Sequence, residues 1–112
     1  MTQVVVAEHI DKRVLTARAS VEALIPVVLD QIAEDGSPIE FDFALIGAVS
    51  PAAIDQILVC TEGQAGGREV RFLNMPYPAS RVHEAIARAH GRTLVEDGPQ
   101  SWVFKAPAKS HA

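Results

Sequence analysis

The segment ALIGAVSPAAID, residues 44–55, holds the side chains with the clearest chemical use in this chain. Ser50 ahead of Pro51 sets a hydroxyl at the head of a helix. Its oxygen can accept from an orphan first-turn amide, and proline at the first helical position gives up an N–H that would lack a partner. The same hydroxyl is a candidate phosphorylation site, where about two negative charges on a helix N-terminus would change how another protein docks. Gly47, Ala48, Ala52 and Ala53 keep the surrounding surface low. Asp42 before the turn and Asp55 after it form a candidate carboxylate pair. The simpler reading points Asp42 outward at a strand end and sets Asp55 near a helix N-terminus, where the macrodipole favours negative charge.

Elsewhere the residue pattern argues against catalysis. His9, His83, His90 and His111 lack metal-ligand spacing. His83 and His90 stand seven apart, two helical turns, and read as surface or rim side chains. Cys60 is the only cysteine, which excludes an intramolecular disulfide and suits a small buried hydrophobe. The glycines of GQAGG follow a helix and precede a strand, the reverse of the order that aims backbone amides at phosphate. The turn at 44–53 has that order but lacks a Gly-Lys-Ser/Thr ending. No Ser-His-Asp arrangement accompanies a nucleophile elbow. The expectation is a protein with no catalytic residues, no metal and no cofactor.

Composition narrows the class further. A content of 48% hydrophobic and 21% charged residues over 112 positions is that of one soluble domain with one core. No apolar run reaches the roughly 18 residues of a spanning helix. MTQVVVAEHIDKR places its apolar stretch before its basic pair, unlike a signal peptide, so the expected compartment is the cytoplasm. A net charge of −4 speaks against a nucleic-acid partner. In SRVHEAIARAHGR, Arg81, Arg88 and Arg92 read as a solvated helix face, with Arg88, His90 and Arg92 near a helix C-terminus.

Hydrophobic periodicity supplies the frame around the turn. TQVVVAEHI and RVLTARA read as a hairpin around Asp11-Lys12. From Ser20, the residues Val21, Leu24, Ile25, Val28, Leu29 and Ile32 mark one helical stripe ending at Gly36; Pro26 inside it kinks the helix or delays its start. Ile39, Phe41 and Phe43 alternate against Glu40 and Asp42 as a strand. The helix from Ser50 buries Ile54, Ile57, Leu58 and Thr61 and stops at Gly63. REVRFLNM is a further strand, and PYPAS breaks the chain before a helix over 81–90 with Val82, Ala85, Ile86 and Ala89 inward. RTLVEDGPQSWVFK folds as two short strands about Asp97-Gly98-Pro99, and residues 107–112 form a flexible tail. The order β-β-α-β-α-β-α-β-β predicts an α/β fold, bordering on α+β. Its mixed central sheet has parallel inner strands and antiparallel edges, in one domain over 1–106.

The stretch TARASVEALIPVVLDQIAEDGSPIEFDFALIGAVSPAAIDQIL resembles the STAS-like domains, relatives of sulfate-transporter and anti-sigma-factor-antagonist domains. Arg18, Glu22-Ala23-Leu24, Asp42-Phe43 and Val49-Ser50-Pro51 carry the likeness, and REVRFLNMP is similar to the strand after the second helix of those domains. It spans most of residues 14–90. The resemblance implies a non-enzymatic regulatory module that docks a histidine-kinase-like ATPase or an anti-sigma factor through Gly47, Ser50, Pro51, Ala52 and Asp55. Anti-sigma antagonists switch by phosphorylation in a turn resembling Asp-Ser-Ser-Gly. Aligned from Asp42, those positions hold Ser50, Pro51, Ala52 and Ala53, so the likeness supports docking more than the phosphoswitch. Two alternatives stand beside it: a soluble accessory subunit of a membrane transporter, and a small anion- or ligand-binding domain. Exposed sheet edges in so small a domain add a homodimer to the expected partners.

Overall fold

The computed structural model describes residues 2–9, 14, 15, 21, 22, 24, 26, 38–65 and 68–106. Their strands are β1 (Thr2–Val5), β2 (Val14–Leu15), β3 (Ile39–Asp42), β4 (Ala48–Val49), β5 (Val70–Leu73), β6 (Leu94–Glu96) and β7 (Trp102–Phe104). The helices are α1 (Pro51–Ala65) and α2 (Arg81–Ala89). Five strands form a mixed sheet in the order β1-β3-β5-β7-β6, while β2 and β4 make a separate parallel pair. β1, β3 and β5 run parallel; β7 runs antiparallel to both β5 and β6. The fold is α/β with parallel inner strands, as the element order implied.

The register explains which face is buried. Val4, Phe41, Phe72 and Trp102 lie side by side across four strands, as do Ile39, Val70 and Phe104 across three. All seven are buried in one cluster with Ala53, Ile54, Ile57 and Leu58 of α1 and Ala87 of α2, so both helices cover this face. Phe72 is its hub, meeting Phe41, Phe43 and Phe104 edge-on at centroid separations of 5.9, 5.3 and 5.2 Å. The opposite face is ionic. Arg71 bonds Glu69 at 2.8 Å and lies 3.7 Å from its cross-strand neighbour Glu40, and Lys105 reaches Glu69 at 3.1 Å. Burial alone would raise the Glu69 pKa, but the bonds from Arg71 and Lys105 outweigh it and hold the carboxyl below its usual value.

Several expectations need correction. The N-terminal hairpin does not form: β1 pairs with β3 and β2 with β4, both in parallel. The chain coils into a 3-10 turn at Val6–Glu8, closed by a bond from the His9 amide to the Val6 carbonyl, so β1 ends before a hairpin partner can extend it. Among the described residues, the antiparallel edge is therefore the C-terminal one. Ala48 and Val49, read as turn, form β4. α1 passes Gly63 and continues to Ala65; Ile54, Ile57, Leu58 and Thr61 are buried as expected, and Ala53, read as part of the low surface, is buried with them. Cys60 is half-buried, with Gln56 Nε2 3.3 Å from its sulfur. α2 is rotated: His83 and Ala87 are buried, whereas Val82, Ala85 and Ala89 are exposed. Of the helix expected over 20–36, Val21, Glu22 and Pro26 have helical backbone and Val21 and Leu24 are buried; Ser20, Gly36 and the surroundings of Pro26 lie outside the described residues, as do His111 and the tail.

Candidate functional site

Parallel strands deliver their loops to one end of a sheet, and ligands and partners of α/β proteins are met there. β3 and β5 end level, Asp42 beside Leu73. Asp42 Oδ1 accepts from the Ala44 amide and from Asn74 Nδ2, each at 2.9 Å, and so ties the two departing loops together. Asn74 sits at φ +56°, a conformation that asparagine tolerates. Leu45 does not belong in that class. It occupies φ +71° in the turn closed by the Ile46 amide on the Phe43 carbonyl, and it is 73% exposed. The strand alternation would have pointed Leu45 into the core after Phe43; the turn instead thrusts it into solvent.

A left-handed leucine costs about 1–2 kcal/mol, and nothing in the core repays it. Leu45→Asn is accordingly expected to raise stability by about 0.5–1 kcal/mol in urea unfolding. A loss of stability would show that Leu45 makes a packing contribution after all.

Past Leu45, Ile46 anchors the loop in the core and Gly47 is exposed. β4 is fixed by β2 and by the Ser50 amide donating to the Leu15 carbonyl at 3.0 Å. Ser50 caps α1 as expected, its Oγ accepting from the Ala53 amide at 3.1 Å. Pro51 and Ala52 face solvent while Ala53 and Ile54 turn inward. The structure thus places Gly47, Pro51 and Ala52 on an exposed rim around a half-buried Ser50.

Asp55 departs from that group. It is half-exposed, and its Oδ1 meets His90 Nε2 at 2.7 Å; the other ring nitrogen, Nδ1, meets Glu62 Oε1 at 2.7 Å. Two ring nitrogens that both face carboxylate oxygens favour the doubly protonated imidazolium form of His90. Burial works against that charge, but the bonds to Asp55 and Glu62 prevail and raise its pKa. Asp55 and Asp42 engage separate partners, His90 and Asn74, and form no acid pair. Glu62 Oε2 continues the chain to Arg92 Nε at 2.8 Å. The Arg92 side chain is fully buried, its Nη1 donating to the carbonyls of Arg68, Phe104 and Lys105. The row Asp55, His90, Glu62, Arg92 alternates in sign and fastens α1 to the chain beyond α2. Neither His90 nor Arg92 belongs to a solvated helix face.

His83 is also buried, not a rim residue. The Ser80 amide donates to its Nδ1 at 3.0 Å, which leaves the ring proton on Nε2, and burial lowers its pKa and keeps it neutral. It stacks on Tyr77 at 5.7 Å between centroids and lies tilted against Trp102 at 4.4 Å. His83 Nε2 and Trp102 Nε1 are buried without an acceptor among the described residues. Neither His83 nor His90 presents an accessible lone pair to a substrate.

The ionic row had no signal in the sequence, because His90 and Arg92 reach carboxylates about thirty residues away. Ser80 and His83 did carry one: a hydroxyl followed three positions later by a side-chain acceptor is the spacing of a capping box. Among the described residues no group of three His, Cys, Asp or Glu side chains could hold a metal ion, and no helix is long and apolar enough to cross a membrane. Compared with known proteins, the chain matches no family model, no curated protein and no solved structure.

Proposed function

We propose that this protein is a non-enzymatic, STAS-like regulatory domain that docks a protein partner, of the histidine-kinase-like ATPase or anti-sigma-factor kind, through the rim from Leu45 to Asp55. One observation carries the reading: Leu45, a large apolar side chain, stands 73% exposed in a costly backbone conformation, in the same segment as exposed Gly47, Pro51 and Ala52. Strain of this kind persists where a surface is used. Small residues around it let a partner approach the head of α1, and the half-buried Ser50 cap lies at the centre of that approach.

Affinity capture with the tagged protein, followed by calorimetric titration of the recovered partner, tests this surface. Ala52→Glu sets a bulky charge on the exposed first turn and is expected to weaken binding about tenfold or more, since desolvating an unpaired charge at an interface costs over 1 kcal/mol. Its melting temperature should stay near that of the wild type. Unchanged affinity in the folded variant would remove the rim as the docking face.

A further inference from the structure

We propose that two copies of this chain pair through the outer edge of β6, continuing the sheet across a two-fold axis. This surface lies apart from the Leu45 rim and does not depend on the reading given above.

The hydrogen-bond phase of the last hairpin carries the argument. The Lys105 amide donates to the Thr93 carbonyl and the Asp97 amide to the Ser101 carbonyl, and the register pairs Leu94, Val95 and Glu96 with Phe104, Val103 and Trp102. Hydrogen-bonded pairs alternate along an antiparallel ladder. Residues 93, 95 and 97 therefore bond to the β7 side, and Leu94 and Glu96 aim both their N–H and C=O groups off the edge. No strand among the described residues pairs with that edge. A second β6 running antiparallel about Val95 would place Leu94 opposite Glu96 of the other copy, and Glu96 opposite its Leu94. Four backbone hydrogen bonds follow from this register.

The side chains suit the same arrangement. Val95, 41% exposed, would face its own counterpart as a close non-hydrogen-bonded pair. Leu94 lies on the helix-covered face and lines a groove of about 310 Å³ together with Glu84, Arg88, Arg92 and Thr93. A residue directly across the ladder shares that face, so Glu96 of the second copy arrives beside Leu94 and Arg88. Arg88 and Glu96 are both exposed, and neither has an ion-pair partner among the described residues. Each copy thus offers a cation and an anion that the two-fold axis brings together. Self-complementarity of this kind selects a second copy over an unrelated strand.

An interface this small is weak and exchanges fast, so association is best read by sedimentation velocity at high protein concentration. The wild type should dimerise. Val95→Asp, which sets two carboxylates face to face, and Glu96→Lys, which turns an attraction into a repulsion, should each weaken dimerisation at least tenfold. The double variant Arg88→Glu/Glu96→Lys should restore it. In parallel, residue-resolved hydrogen exchange should show the Leu94 and Glu96 amides slowing as concentration rises, with the Val95 amide, already bonded to β7, unchanged. A wild type monomeric at every concentration would leave the edge to another occupant and overturn the proposal. A dimer indifferent to these substitutions would overturn it equally.

Discussion

Replacing Arg92 by methionine is expected to lower the free energy of unfolding by about 3–5 kcal/mol, the usual cost of leaving one half of a buried ion pair behind. The side chain is fully buried and holds the Glu62 carboxylate together with three backbone carbonyls, at Arg68, Phe104 and Lys105. Methionine fills similar space but supplies no donor, so the half-buried Glu62 carboxylate and the carbonyls lose theirs, the Phe104 carbonyl away from water. Against a total stability of about 5–15 kcal/mol for an ordinary domain, such a loss brings the protein close to unfolding at 37 °C. Arg92→Lys should recover only part, because an ammonium cannot hold Glu62 and the carbonyls in the fork geometry of guanidinium. Urea unfolding of the three proteins measures the effect. A loss below about 1 kcal/mol for Arg92→Met would show that the pair contributes little.

Stability is further expected to fall as pH rises above neutrality, and to do so because of His90. Its folded pKa is raised above 6.5 by Asp55 and Glu62 despite burial, whereas an unfolded histidine titrates near 6.5. The native state therefore holds the proton more tightly. The resulting stabilisation is fully present below about pH 6.5 and disappears as pH climbs through the folded pKa. His83 acts with the opposite sign in a different window: burial lowers its pKa, so it costs stability only as pH drops below 6.5. The raised pKa of Tyr77 and the lowered pKa of Glu69 bear on still more alkaline and more acidic ranges. The slope from about pH 6.5 up through the folded pKa of His90 is thus assigned to that ring.

At pH 6, His90→Gln should cost about 1.5–3 kcal/mol, the worth of hydrogen bonds to charged groups, and the cost should shrink toward pH 9. Urea midpoints across pH, with the His90 ring titrated by NMR, provide the check. A ring that titrates at or below 6.5, or a slope unchanged by the substitution, would refute the assignment.

Much of the frame was legible before any coordinates. Ile39, Phe41 and Phe43 are buried as their alternation required, Ser50 caps α1, Ile54, Ile57, Leu58 and Thr61 form its inner face, and the last two strands flank Asp97-Gly98-Pro99. Each is a local matter, decided by backbone sterics or side-chain period within a few residues. The face of α2 was misjudged for a reason equally physical. Valine and alanine at helical spacing promised an apolar stripe, but His83 packs against Trp102 at 4.4 Å between centroids, and the Ser80 amide satisfies its Nδ1.

Sequence by itself determined the types of β1, β3, α1, β5, α2, β6 and β7, the α/β class and the helix start at Ser50-Pro51, because local propensity and hydrophobic period need no distant partner. Tertiary structure alone decided that β1 lies parallel to β3, that Leu45 faces solvent, and that Asp55, His90, Glu62 and Arg92 form one alternating row. Those outcomes depend on which segments compete for the same backbone groups and the same dry space, and that competition runs between residues tens of positions apart.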